Sequence, residues 1–198
     1  VSQGDVKLQG AFNLAASDAK RPTIALLHQG SKQRISVQPS SVTMGAHAVA
    51  FSLNGSDNTV NVGVDSVVNL DNNNIFLHSA DTKGTVTSSA TVSTKAQADR
   101  GVNSLGKNIA YHVAGNFTNN GLIDMGNSWE NIGIASVYKD GQGIATNAGT
   151  IKVGRSYVGA GGWDSPELRI SAGMVAGGTS GYKGRIVNTG TIDLHHPY

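Results

Sequence analysis

Ile186-Val187-Asn188-Thr189-Gly190-Thr191-Ile192-Asp193-Leu194 is a phrase that the chain has already used twice. It stands earlier as Ile144-Ala145-Thr146-Asn147-Ala148-Gly149-Thr150-Ile151-Lys152-Val153 and as Phe117-Thr118-Asn119-Asn120-Gly121-Leu122-Ile123-Asp124-Met125. In each copy a short apolar run meets a corner of Asn and Gly, and a second run follows in which apolar and polar residues alternate. Asn and Gly tolerate the backbone angles of a sharp turn, and two-residue alternation is the mark of a half-buried strand. Each copy therefore reads as strand, corner, strand. Copies more than 20 residues apart are what a solenoid leaves in a sequence, because each repeat is one coil of the chain.

Outward from these copies, every such pair of strands (B and C) is preceded by a third, A. The A strands are expected to start at Ile24, Val49, Ile75, Ile109, Ile134 and Met174. The B strands are expected at Ile35, Val60, Val86, Phe117, Ile144 and Ile186, and the C strands at Val42, Val67, Val92, Ile123, Ile151 and Ile192. The A-to-B steps are then 11, 11, 11, 8, 10 and 12 residues, and the B-to-C steps 7, 7, 6, 6, 7 and 6. A bare B and C pair, Val6-Lys7-Leu8 and Phe12-Asn13-Leu14, opens the chain. The expectation is an all-β protein, a right-handed, three-sided parallel β-helix (β-solenoid) of about six to seven coils and roughly 30 Å in length. Residues 1–198 form one such segment, expected to be a piece of something longer because neither end carries a polar cap.

Composition agrees with this and excludes much else. Charged residues are only 14% and aromatics 6% of the 198, while Gly numbers 26, which favours strands and turns over a helical bundle. A net charge of +2 without any basic run speaks against a nucleic-acid partner. With no Cys, disulfides and thiolate chemistry are out. No stretch approaches the ~20 apolar residues of a membrane-spanning helix.

The pattern "NNGLIDMG", "NAGTIKVG", "NTGTIDLH", with "IGIASV" and "AGMVAG" before the later two, resembles the passenger domains of large Gram-negative autotransporter adhesins. The likeness covers residues 107 to 198 by pattern and the earlier part by spacing. It implies an extracellular stalk displayed on the bacterial surface, a protein or glycan receptor on a cell, no cofactor, and a C-terminal membrane barrel outside this segment. The expected function is thus adhesion or structural support without catalysis.

The C-to-next-A steps of 12, 7, 8, 17, 11 and 23 put nearly all length variation at one corner, with insertions at 94–108 and 154–171. The first of these could hold a short helix. Loops carry function more often than the scaffold beneath them, so Trp129, Glu130, Tyr157, Trp163 and Asp164 are candidates for partner binding. The two Trp residues could equally serve to anchor their own loops. On the A strands, inward Ile24, Val49, Ile75, Ile109, Ile134 and Met174 would leave Ala25, Ala50, Phe76, Ala110, Ala135 and Val175 outside. Phe76 and Val175 then belong to an apolar outer stripe that loops or a partner must cover. Asn119, Asn147 and Asn188 are turn formers that could also stack as a structural amide ladder.

A polysaccharide lyase or hydrolase is the rival reading, since β-helices carry such sites on an outer face. The outward C residues, however, read Thr43, Val68, Ser93, Asp124, Lys152, Asp193, with no two carboxylates on neighbouring coils to share a proton. A pair could come only from Glu130, Asp164 or Glu167 in the loops, so no catalytic residue is assigned. His78 and His112 fall at equivalent places on adjacent coils, but two His without a third ligand do not define a metal site, and none is assigned. A self-assembling or toxin subunit is a third possibility.

Overall fold

The computed structural model describes residues 4–18, 20–64, 66–71, 73–94, 108–126, 130–138, 143–154, 171–177 and 183–194. These residues form strands and connecting turns, without helix. In chain order the strands are β1 (Asp5–Leu14), β2 (Thr23–His28), β3 (Arg34–Met44), β4 (Ala48–Leu53), β5 (Thr59–Val62) and β6 (Val67–Leu70). They continue with β7 (Ile75–Ser79), β8 (Thr85–Ser88), β9 (Thr91–Thr94), β10 (Ile109–Val113), β11 (Asn116–Asn119) and β12 (Leu122–Met125). The last six are β13 (Ile132–Ser136), β14 (Ile144–Asn147), β15 (Thr150–Val153), β16 (Ala172–Ala176), β17 (Arg185–Asn188) and β18 (Thr191–Leu194).

Every sheet pairing between these strands is parallel, and each strand pairs with its counterpart in the next repeat. One sheet runs β16-β13-β10-β7-β4-β2 and holds the A strands. The other runs β17-β14-β11-β8-β5-β3-β6-β9-β12-β15-β18, with β1 also on β3. The B and C columns are its two arms, joined by the long β3, which supplies both a B and a C segment. The bare pair at the start is the single strand β1, matched to β3 through Val6↔Ile35 and Phe12↔Val42. Stacked parallel sheets of this kind are consistent with a β-solenoid.

Alternation drives the B and C arms as expected. Val60, Val62, Val86, Val92, Phe117, Ile123, Met125, Ile151 and Val153 all point inward and are at most 4% exposed. Each such side chain taken out of water contributes roughly 1.5–3 kcal/mol. Corners close tightly enough to demand glycine: a Cβ on Gly149 would stand 2.1 Å from the carbonyl oxygen of Gly121 in the preceding repeat.

Several expected alignments slip. In the A column Ile109 pairs with Ile132, and Ile132 with Ala172, so Ile134 and Met174 belong two places further on, beside Tyr111. The B column runs Phe117↔Ala145↔Ile186, which puts Ala145 rather than Ile144 in the inward place. In the C column Val42 pairs with Val68, not Val67, so Val68 is an inward, fully buried residue and Asn69 takes the outer place. With these starts the A-to-B corner also lengthens in the late repeats, from Ile132 to Ala145 and from Ala172 to Ile186. Length variation is therefore not confined to a single corner.

In β4, β7 and β10 the expected orientation is reversed, whereas Ile134 and Met174 face the core as expected. Phe76 is fully buried, and Ala50 and Ala110 with it, while Ile24, Val49, Ile75, Ile109 and Ile132 lie on the outer side. The cause is a bend at the second strand position, where the ladder skips Ala110 between Ile109↔Ile75 and Tyr111↔Leu77. Two successive side chains then face the core, one of them small in three of the pairs (Ala50 with Phe51, Ala110 with Tyr111, Gly133 with Ile134) and both large in β7 (Phe76 with Leu77). Phe51, Phe76 and Tyr111 from these strands form an aromatic column with Phe12 of β1 and Phe117 of β11, in the order Phe12, Phe51, Phe76, Tyr111, Phe117, with ring centres 5.2, 5.7, 5.6 and 4.6 Å apart. The first three contacts are edge-to-face, the favoured geometry of aromatic pairs. Tyr111 brings a hydroxyl into this core, and Ser88 Oγ meets it at 2.6 Å.

Candidate functional site

Asparagine side chains inside the stack form lengthwise ladders. Asn119 Nδ2 donates to Asn147 Oδ1 and Asn147 Nδ2 to Asn188 Oδ1, both at 2.8 Å, and each amide also donates to the carbonyl two residues ahead. Asn119 and Asn147 are fully buried; Asn188 is exposed. A second ladder escaped the sequence reading. It precedes the A strands: Asn74 Oδ1 accepts from the Ala48 N–H, Asn108 Oδ1 from the Asn74 N–H, Asn131 Oδ1 from the Asn108 N–H, and Ser171 Oγ from the Asn131 N–H. Its only sequence signal is an Asn or Ser one residue before the first A-strand position, which the misaligned late repeats hid.

On the outer C surface Asp124 and Lys152 are paired at 3.3 Å, and Asp193 follows beside Lys152 in register. The pair is partly open to water, so it is worth at most ~1 kcal/mol. Asp124 and Asp193 are separated by Lys152, which keeps the two carboxylates from adjoining each other.

Of the expected partner-binding residues, Glu130, Phe76 and Val175 fall among the described ones. Trp129, Tyr157, Trp163, Asp164 and Glu167, together with most of the 94–108 and 154–171 insertions, lie outside the described residues. Glu130 is half-buried just before Asn131, with a left-handed φ of 56°. Phe76 is a core residue and offers nothing to a partner. Val175 is half-buried and continues the outer column of His112 through Ala135.

That column carries the one cluster of chemistry-bearing side chains on the outer A surface of the described residues. Ser52, His78 and His112 follow one another in register on β4, β7 and β10. Over them lies Tyr138, from the corner after β13, held by paired backbone hydrogen bonds with Lys183 at 2.9 and 3.3 Å. The imidazole centres are 5.3 Å apart, and the Tyr138 ring is 4.8 Å from His112 and 6.0 Å from His78. Tyr138 Oη is hydrogen-bonded to His78 Nε2, and Ser52 Oγ lies 3.3 Å from His78 Nδ1. His112 Nε2 stands 3.5 Å from the Val137 carbonyl.

Burial lowers the pKa of His78, and the neighbouring His112 adds to the effect. Burial likewise lowers that of His112, against the opposing contact with Val137. The Tyr138 phenol is pushed up to about 12, again by burial. Near neutrality the cluster thus holds two uncharged imidazoles and a phenol, a set of nitrogen and oxygen donors. Ser52, the hydroxyl beside His78, is almost wholly buried. Tyr138 is 60 residues from His78 and carried no sequence signal, because it arrives from another repeat's corner. No protein-family model, no curated protein and no solved structure matches this chain.

Proposed function

We propose that the chain is a right-handed, three-sided β-helix of about six to seven coils serving as a non-catalytic, surface-displayed stalk or adhesin segment of the autotransporter passenger kind. The observation that carries this reading is the expenditure of polar chemistry on lengthwise stacking. Asn74, Asn108 and Asn131 in one ladder, and Asn119, Asn147 and Asn188 in another, bind repeat to repeat. A scaffold built so is rigid along its axis and indifferent to what its corners carry, which suits a part that holds binding loops away from a bacterial surface. Export through an outer-membrane barrel and an extracellular location belong to the same reading, on the strength of the sequence resemblance.

The enzymatic alternative draws no support from the outer C surface, where Thr43, Asn69, Ser93, Asp124, Lys152 and Asp193 follow one another. Two assays decide between the readings. Beads coated with the chain are expected to adhere to mammalian or bacterial cells above beads coated with an inert protein, and acidic and neutral glycans are expected to remain intact. Glycan cleavage that disappears in Glu130→Ala, Asp164→Ala or Glu167→Ala would overturn the proposal.

A further inference from the structure

The stalk reading makes no use of His78, His112 and Tyr138. The hydrogen bonds around His78 fix where its lone pair lies. Ser52 Oγ is 3.4 Å from Asn54 Oδ1, an atom that can only accept, so the serine proton points there. Ser52 Oγ then accepts from His78 Nδ1–H, which leaves Nε2 of His78 as the acceptor for the Tyr138 hydroxyl. Each donor along this chain points the same way, and the lone pair of His78 Nε2 faces Tyr138. An acceptor behind the imidazole is what orients a metal-ligating histidine and sets its tautomer, and here the Ser52 hydroxyl fills that place. His112 Nε2 faces the same segment, where the Val137 carbonyl can only accept, so Nε2 carries the proton there and an ion would have to move that proton to Nδ1; the contact is long enough that little is lost when it is given up.

The imidazole spacing fits a single ion, which would replace the proton between Tyr138 Oη and His78 Nε2 and move that oxygen outward. Two imidazole nitrogens ~2.1 Å from a tetrahedral zinc place their ring centres roughly 5 Å apart. The rings of His78 and His112 stand 5.3 Å apart, on strands locked in register by the sheet. Among the described residues no three His, Cys, Asp or Glu side chains are arranged to hold a metal; the further donor that lies against both imidazoles is Tyr138. We propose that His78 Nε2, His112 Nε2 and Tyr138 Oη form a site for one divalent transition-metal ion of the zinc or copper class, with its remaining coordination position open. Imidazole nitrogen selects such ions over calcium or magnesium, and copper(II) is expected to bind more tightly than zinc. Bound there, the ion would tie β7 and β10 to the corner after β13, linking three repeats across the outer A surface.

The test is titration of the chelator-stripped full chain with zinc chloride, followed by calorimetry and by ¹⁵N spectra of the imidazoles. One ion per chain is expected, with the Nε2 resonances of His78 and His112 shifting together. Copper(II) in its place should show two nitrogens coupled to the electron spin. His78→Gln and His112→Gln are each expected to weaken zinc at least tenfold and Tyr138→Phe severalfold, while His195→Gln/His196→Gln leaves the affinity unchanged. The wild-type spectra keep the test decisive if a variant folds poorly. Shifts confined to His28, His47, His195 or His196, or a wild-type affinity equal to that of His78→Gln/His112→Gln, would overturn the proposal.

Discussion

Replacing Asn108 by alanine deletes one rung of the ladder that precedes the A strands. Three side-chain hydrogen bonds go with it: Oδ1 accepts from the Asn74 N–H at 3.0 Å, and Nδ2 donates to the Asp71 carbonyl and to Asn131 Oδ1, each at 3.0 Å. Asn131 Oδ1 keeps the backbone N–H of residue 108 at 3.1 Å. The buried Asn74 N–H loses this acceptor in a place where both asparagines are fully shielded from water. An unmet buried donor costs ~1–3 kcal/mol, and each of the other two bonds ~1 kcal/mol or less once competing partners are counted. The total is about 2–4 kcal/mol. With a urea m-value of ~2 kcal/mol/M, that lowers the unfolding midpoint by roughly 1–2 M. Asn69→Ala, on the outer C surface, is the matched control and should stay within ~0.5 kcal/mol of wild type. Equilibrium urea unfolding followed by circular dichroism measures both. Equal midpoints for the two variants would refute the claim that the ladder, and not asparagine as a turn former, holds the repeats together.

Phe76→Ala empties the middle of the aromatic column and should cost ~3–5 kcal/mol, whereas Ile75→Ala on the outer side should cost well under half as much; thermal unfolding of the pair checks the orientation of the A strands. Gly149→Ala drives a Cβ to 2.1 Å from a backbone oxygen that has no flexible way to yield, so a loss of at least ~2 kcal/mol or failure to fold is expected by the same assay. For pH, both cluster histidines have folded-state values below the usual 6.5, chiefly through burial. Above 6.5 folded and unfolded chains are alike neutral there; as pH falls below it the unfolded chain takes up protons that the folded one resists, and stability declines until the folded-state values are passed. With chelator present, Tm should therefore drop between pH 7 and pH 5 more in wild type than in His78→Gln/His112→Gln, and superimposable profiles would refute the assignment.

Most of the B and C arms was legible because they alternate and their corners repeat Asn and Gly: Ile123 and Ile151 face the core where the spacing puts them, with Ile192 next in register, while Ile144 and Val67 were each placed one residue early. The A strands were not, since the bend before Leu77 and Tyr111 turns two neighbouring side chains inward, and alternation read from Ile75 assigns Phe76 to the wrong side. Small shifts hid the rest. Taking Ile134 for the partner of Ile109 concealed both the true strand start at Ile132 and the Asn131 rung just before it. His78 and His112 could be placed side by side from spacing alone, but Tyr138 belongs to a long corner whose path no periodicity records.

The central claim is that each repeat lies in register on the one before it, and the absence of native cysteine allows a direct measurement. Asn61 and Thr87 are outer B-column neighbours, and Ser36 precedes Asn61 in the same column. Neighbouring strands stand ~4.8 Å apart, within the reach of a disulfide, whereas two strands on is about 9.6 Å and beyond it. Under mild oxidation Asn61→Cys/Thr87→Cys should form an intramolecular disulfide readily and Ser36→Cys/Thr87→Cys should not. Equal yields, or a bond only in the second pair, would contradict the in-register stack on which the fold and the proposed function both depend.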